Sequence, residues 1–350
     1  MIRRLILAAV AVALLLPGAA SAATPALGAT LIAPPSERDI ELLRESGIRT
    51  ARFVLSWDEV QNQPGAGFNW SRPDRWVSGL ARAGVRPLPM LYGTGPFGDP
   101  PTPPVGPRAR RGWRKFVRAA VERYGTGGMF WEAAAVGSRP AAKPPRAWQV
   151  WNEQNAVAFW SPEPSPREYA RVLAVSAREI RAADPDATVL LGGMPGSAPR
   201  RGSVEAADYL EALYRRDAAP DFDAVAIHPY AANLAGVRGQ YEAIRREMRA
   251  ADDRGTETWV TEFGWGSVPA ITANFAGFTR DPGGQARILR KAVRLFDRRQ
   301  SDWKIRAALW FSWRDPEIEI CSFCASLGLL EVDHTAKPSF RAVRDLQPKR

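Results

Sequence analysis

Short apolar stretches alternate with amphipathic ones along almost the whole chain, and this alternation constrains the fold more than any other feature. The apolar stretches are ALGATLI (26–32), TARFVLSW (50–57), RPLPMLYG (86–93), AWQVWN (147–152), TVLLGGM (188–194), AVAIHPY (224–230), TWVTEFGW (258–265) and AALWFSW (307–313). Each has strand length. Between them lie segments such as SERDIELLRESG, WRKFVRAAVERYG and GGQARILRKAVRLFDRRQ, whose apolar residues recur at three- and four-residue spacing, as on one face of a helix. Strands separated by helices pair in parallel and are covered by those helices. Eight such units are also the number that closes, so the expected fold is α/β, a single (β/α)8 TIM barrel, with an open doubly wound sheet as the alternative. No linker or compositional break divides residues 23–350, which are expected to form one domain. Two Pro/Gly-rich stretches read as loops. The one at 93–107 follows the third strand, on the face where a barrel keeps its active site, and the one at 137–145 leads into the fourth from the opposite face.

The first residues have Arg3 and Arg4, an apolar run to Leu16, a Pro17-Gly18 break and Ala20-Ser21-Ala22. That is the layout of a signal peptide cleaved near Ala22, in keeping with general or twin-arginine export, and the expected location is secreted or cell-envelope. The run is too short and wrongly flanked for a membrane anchor, and no later segment approaches a span. The formal charge is +11, and of 48 basic residues only 6 are lysine. The arginines are scattered singly over helices, which suits a solvated basic surface better than a nucleic-acid groove; an anionic envelope or polysaccharide remains a possible partner. Cys321 and Cys324 are the only cysteines, and in an exported protein their spacing favours a small-loop disulfide. A zinc site would need further ligands, and the two histidines, His228 and His334, are not at the required spacing.

GTGPFG matches a dinucleotide-binding pattern after a strand, but DPPTPPVGP follows where that motif requires a helix. No cofactor and no metal is expected. With two histidines in the chain, serine-triad and histidine-rich metal chemistry have little to work with. The carboxylates are more informative. Glu153 ends the fourth apolar stretch and Glu262 lies at the end of the seventh, each with tryptophans close by. In a closed barrel the C-terminal ends of all strands ring one mouth, so side chains 109 positions apart can share one cavity. Glycoside hydrolysis uses such a pair: one carboxyl protonates the leaving oxygen while the other attacks or activates water. Glu132 reads as structural. Asp315, Glu317 and Glu319 fall in the loop after the eighth strand, where they are candidates to line a cleft.

WNEQN (151–155) resembles the Trp-Asn-Glu-Pro-Asn acid/base motif of clan A glycoside hydrolases, most of all families 5 and 39. The resemblance extends over essentially all of residues 23–350. It implies a retaining glycosidase barrel with the acid/base on the fourth strand and the nucleophile on the seventh: Glu153 as proton donor and Glu262 as nucleophile. Carried over residue by residue, it implies that Arg52 keeps the nucleophile ionised and that Asn152 holds the sugar 2-hydroxyl. His228 and Tyr230 match a His-x-Tyr pair whose tyrosine bonds the nucleophile, and Trp310 matches a tryptophan platform under the sugar. Gln154 stands where the family motif has proline, and the accessory β-sandwich usual in family 39 xylosidases is missing. The implied function is hydrolysis of O-glycosidic bonds in a poly- or oligosaccharide by a monomer. A transglycosylase, an inactive carbohydrate-binding barrel and a basic envelope-binding protein are the alternatives.

Overall fold

The computed structural model describes residues 25–348, apart from residue 100 and segments 136–140, 198–200, 269–276 and 318–323. The expected signal segment, Glu319 and Cys321 lie outside the described residues. Eight parallel strands close in sequence order: β1 (Ala26–Thr30), β2 (Thr50–Ser56), β3 (Arg86–Tyr92), β4 (Ala147–Asn152), β5 (Thr188–Pro195), β6 (Ala224–His228), β7 (Glu257–Phe263) and β8 (Ile305–Phe311), with β8 pairing back onto β1. Closure rules out the open-sheet alternative. The principal helices between and after them are Glu37–Ser46, Ser71–Arg82, Pro107–Tyr124, Pro166–Ala183, Ala206–Tyr214, Leu234–Ala250, Pro282–Arg298 and Pro338–Leu346. Their starts carry local instructions: Ser36, Ser165, Asn233 and Asp281 each accept a backbone N–H of the first turn, and several helices have proline in that turn.

Inside the barrel, side chains repeat every second residue along a strand. Leu88, Ala147, Leu190, Ala224, Ala307 and Leu309 form an apolar cluster of their own, apart from the larger core between strands and helices. Nearer the mouth the same inner face becomes polar, with Gln149 on β4, His228 on β6 and Thr261 on β7, all fully buried. A buried polar layer of this kind is stable only if its members bond one another.

Strict alternation would turn Asn152 outward, because Gln149 points in. The chain breaks phase instead. Trp151 adopts φ 73° and Glu153 φ 46°, left-handed values that are costly for residues other than glycine. Trp151 thereby packs outward against Trp113 and Trp160 and donates its indole N–H to the Phe159 carbonyl at 2.8 Å. Asn152 and Glu153 both reach the mouth. On β7 the register shifts between Val260 and Phe263, so that Thr261 and Glu262 face inward in succession while Phe263 packs on Phe296 of the outer helices.

The rim between β7 and β8 is tied from below by Lys337, which precedes the final helix. Its ammonium donates to Asp315 Oδ2 at 2.6 Å and Ser267 Oγ at 2.9 Å, and the lysine is almost wholly buried. Asp315 also accepts the Gly328 N–H at 2.7 Å. Asp315 thus faces Lys337, and together with Glu317 it borders a pocket beside Leu31, Asp39 and Trp313. Glu317 is exposed beside Arg314, and Glu132 is exposed on the helix Met129–Ala135. Cys324 is disulfide-bonded, and no free cysteine occurs among the described residues.

Candidate active site

Seven side chains on or just beyond β2, β4, β6 and β7 converge at the C-terminal end of the barrel. Arg52 Nη1 donates to Glu262 Oε1 at 2.5 Å, its Nη2 donates to Asn152 Oδ1 at 2.6 Å, and its Nε donates to Gln149 Oε1 at 2.5 Å. Just beyond β6, Tyr230 donates its hydroxyl to the other Glu262 oxygen at 2.9 Å. His228 Nδ1 lies 2.8 Å from Glu153 Oε1 and 3.7 Å from Glu262 Oε2. Glu153, His228 and Glu262 present one ligating atom each within 4.8 Å of one another, so the two carboxyl groups come close together at the mouth.

Burial raises both carboxyls above the ordinary carboxylate range, but they are unequal. Glu153 is pushed up far, first by desolvation and then by the negative Glu262 beside it. Desolvation also lifts Glu262, but the Arg52 cation and the Tyr230 hydroxyl pull it back, so it is the first of the pair to ionise. The sequence reading treated Glu262 as simply held ionised; burial opposes that, and Arg52 and Tyr230 are what counter it. His228 is driven well below its usual value by burial and the Arg52 charge, which keeps the ring neutral. Burial and the nearby carboxylates hold the Tyr230 proton in place.

Two expectations need correction. Trp310 is not a platform in the mouth: it is fully buried, packs on Phe263 and Trp265, and donates its indole N–H to the Leu327 carbonyl at 2.7 Å. Ala307 and Leu309 line the interior of β8, so alternation turns Trp310 outward and brings half-buried Phe311 to the mouth instead. His228 is likewise not positioned to bind substrate. It is fully buried, with one ring nitrogen at Glu153 and the other 3.0 Å from Thr261 Oγ1. The other tryptophans are no more available to a ligand. Of 13 tryptophans only Trp70 and Trp259 lie outside the buried set, and the inner side chain of Trp259 sits with the apolar cluster at the other end of the barrel. Tyr92, Tyr230 and Phe311, each half-buried, are the aromatic groups at the strand ends of the site.

Sequence reasoning missed Gln149, Thr261, Tyr92 and Gly193. The first two carried a usable signal, a polar residue at an inward position of an otherwise apolar strand. Gly193 had none. A Cβ there would lie 2.0 Å from His228 Nε2 and 2.6 Å from Thr261 Oγ1, so this glycine is what lets β5 pass behind the histidine. The loop after β3 is pinned through Asp58, whose carboxylate accepts the N–H groups of Thr94 and Gly95, so those amides are not available to a phosphate.

No protein-family model and no curated protein sequence matches the chain. Solved structures do. The barrel is similar to those of family 39 glycoside hydrolases. One from Bacteroides cellulosilyticus WH2 superposes with a TM-score of 0.65 at 21% identity, over 92% of this chain and 63% of its own. A monomeric β-xylosidase from Caulobacter crescentus CB15 gives 0.67 at 20% identity, over 93% of this chain and 68% of its own. A glucosidase from Croceicoccus marinus gives 0.67 at 15% identity, over 92% and 67%. This chain thus spans about two thirds of the length of these proteins, and at such identities the likeness is one of fold. What the site does follows from its own geometry. A cation could use the Glu153–His228–Glu262 spacing, but Arg52 already neutralises Glu262, and its fixed charge would repel a metal there.

Proposed function

We propose that this protein is an exported glycoside hydrolase that cleaves O-glycosidic bonds of a poly- or oligosaccharide with retention, through Glu262 as nucleophile and Glu153 as acid/base. The observation that carries this reading is the approach of the two carboxyl groups, with oxygens within 4.8 Å. Retaining enzymes space their carboxyls by about 5–5.5 Å, whereas inversion needs roughly 6.5–9.5 Å to admit a water. The unequal environments support the division of labour, since the acid must hold its proton and the nucleophile must lose it.

In the first step Glu262 attacks the anomeric carbon and the bond to the leaving oxygen breaks as Glu153 passes its proton to that oxygen. In the second, Glu153 as carboxylate takes a proton from water, the water oxygen bonds the anomeric carbon and Glu262 is expelled. Asn152 has its carbonyl oxygen committed to Arg52, which leaves its NH2 to donate to a sugar hydroxyl. Phe311 and Tyr92 offer apolar ring surface to the sugar. The whole constellation comes from one chain, which supports action as a monomer. Export rests on the first 22 residues, and N-terminal sequencing of the extracellular protein checks it: the mature chain begins near Ala23.

The decisive assay incubates the protein with a panel of aryl glycosides and polysaccharides and follows the anomer first released by NMR. Retained configuration from at least one substrate, lost in Glu262→Ala, supports the reading. Inverted product, or cleavage that survives Glu262→Ala, overturns it, and binding without cleavage across the panel leaves the inactive carbohydrate-binding alternative.

A further inference from the structure

The polar layer beneath the mouth can be followed proton by proton, because Arg52 can only donate. Arg52 Nε points at Gln149 Oε1, which fixes the orientation of the Gln149 amide and leaves its Nε2 to donate. That nitrogen lies 3.1 Å from the Leu191 carbonyl and 3.2 Å from Thr261 Oγ1, so Thr261 accepts from it. The Thr261 hydroxyl then has one proton to give. It is fully buried, and among the described residues the acceptor within reach is His228 Nε2, 3.0 Å away. Were His228 to carry its proton on Nε2, that nitrogen and Gln149 would both donate to Thr261, and the threonine proton would be buried without a partner.

We infer that Gln149 and Thr261 are positioning residues that fix His228 as the Nδ1–H tautomer, so that it donates to Glu153 Oε1 and leaves Oε2 as the oxygen that carries and delivers the catalytic proton. The inference rests on the proposed glycosidase reading for its last step only; the tautomer itself does not depend on any activity. The chain of bonds runs from the nucleophile to the acid/base through the barrel floor: Glu262, Arg52, Gln149, Thr261, His228, Glu153. When Glu153 gives up its proton, the His228 N–H is already in place to stabilise the carboxylate, which is the form that must next accept a proton from water. With the other tautomer a bare Nδ1 lone pair would face Glu153. It would bind the carboxyl proton itself and hold it away from the substrate.

Glu153 is also faced by Glu262 from β7, Arg52 from β2, and Tyr92 and Tyr230 from the ends of β3 and β6. None of these changes in Thr261→Val, which removes the hydroxyl and keeps the shape. The test uses the full chain labelled with 15N at histidine; with His228 and His334 the only histidines, two ring systems are read. The wild type is expected to show His228 protonated on Nδ1, Thr261→Val to show Nε2–H or a mixture, and Thr261→Ser to restore Nδ1–H. In parallel, the alkaline limb of kcat/KM moves up by about one pH unit in Thr261→Val and returns in Thr261→Ser, because losing a donor to the carboxylate raises the acid's pKa. A wild-type His228 protonated on Nε2 or on both nitrogens overturns the inference, as does a Thr261→Val protein with unchanged tautomer. Should no glycoside be cleaved by the wild type, the proposed function fails while the NMR result still decides the tautomer, and the pH dependence of the Nδ1–H resonance then reports Glu153 directly.

Discussion

Arg52 donates to four side chains at once, those of Gln149, Glu262, Met90 and Asn152, and its removal should be felt in two separate measurements. Without its cation, Glu262 is a buried carboxylate whose remaining support among the described residues is the Tyr230 hydroxyl. The acid limb of kcat/KM, which follows ionisation of the nucleophile, should rise by about one pH unit or more in Arg52→Gln. Thermal stability should fall as well, since breaking one half of a buried pair costs about 3–5 kcal/mol. Glu262→Ala removes the proposed nucleophile, and turnover of an aryl glycoside should drop by roughly a thousandfold or more while circular dichroism stays unchanged. Glu153→Gln should separate substrates by leaving group: activated aryl glycosides keep far more of their turnover than natural glycans, because a good leaving group needs no proton.

At the scale of single elements, the two strands that lead to Glu153 and Glu262 share a device. Each breaks its alternation just before its glutamate, β4 through the left-handed Trp151 and β7 through a shift of register, so two successive side chains face the mouth. The sequence shows where the strands are, because apolar runs and helical spacing are local; all eight were legible to within two residues at the starts and a few at the ends. The convergence of Glu153 and Glu262 followed from topology alone. The phase breaks were not legible, because backbone twist at Trp151 is decided by what Trp113 and Trp160 leave room for, and those lie elsewhere in the chain. Trp310 was misplaced for the opposite reason. The alternation Ala307, Leu309, Phe311 was open to inspection, but motif likeness was followed in its place. Gly193 makes a clear test of such cross-barrel dependence. Gly193→Ala should displace His228 and Thr261, lowering activity at least tenfold with a changed alkaline limb, whereas Gly239→Ala, where a Cβ meets nothing within 4 Å, should leave both as they are.

For the molecule as a whole, the site is a burden on folding. Glu153 and Glu262 both have raised values in the fold, against about 4.3 for an unfolded glutamate. The folded state therefore binds more protons than the unfolded one above that value, and stability declines as pH climbs from there through the raised folded-state values. Glu153→Gln removes the larger contribution. It should melt a few degrees higher than the wild type at pH 7 and at the same temperature near pH 3.5, where both states of the wild type are protonated. A lower melting temperature at pH 7 would show that Glu153 is held as a stabilised anion instead.

The buried ammonium of Lys337 has a bearing on how the chain becomes competent. It arrives from the last fourteen residues, yet it fastens segments that follow β7 and β8, next to the catalytic rim. Without that lysine the chain would keep Arg52, Glu153 and Glu262 in the barrel and still leave Asp315 as a buried acid stripped of its cation. Lys337→Met should therefore lower the melting temperature and speed limited proteolysis, read by gel, even though no side chain of the barrel mouth is altered.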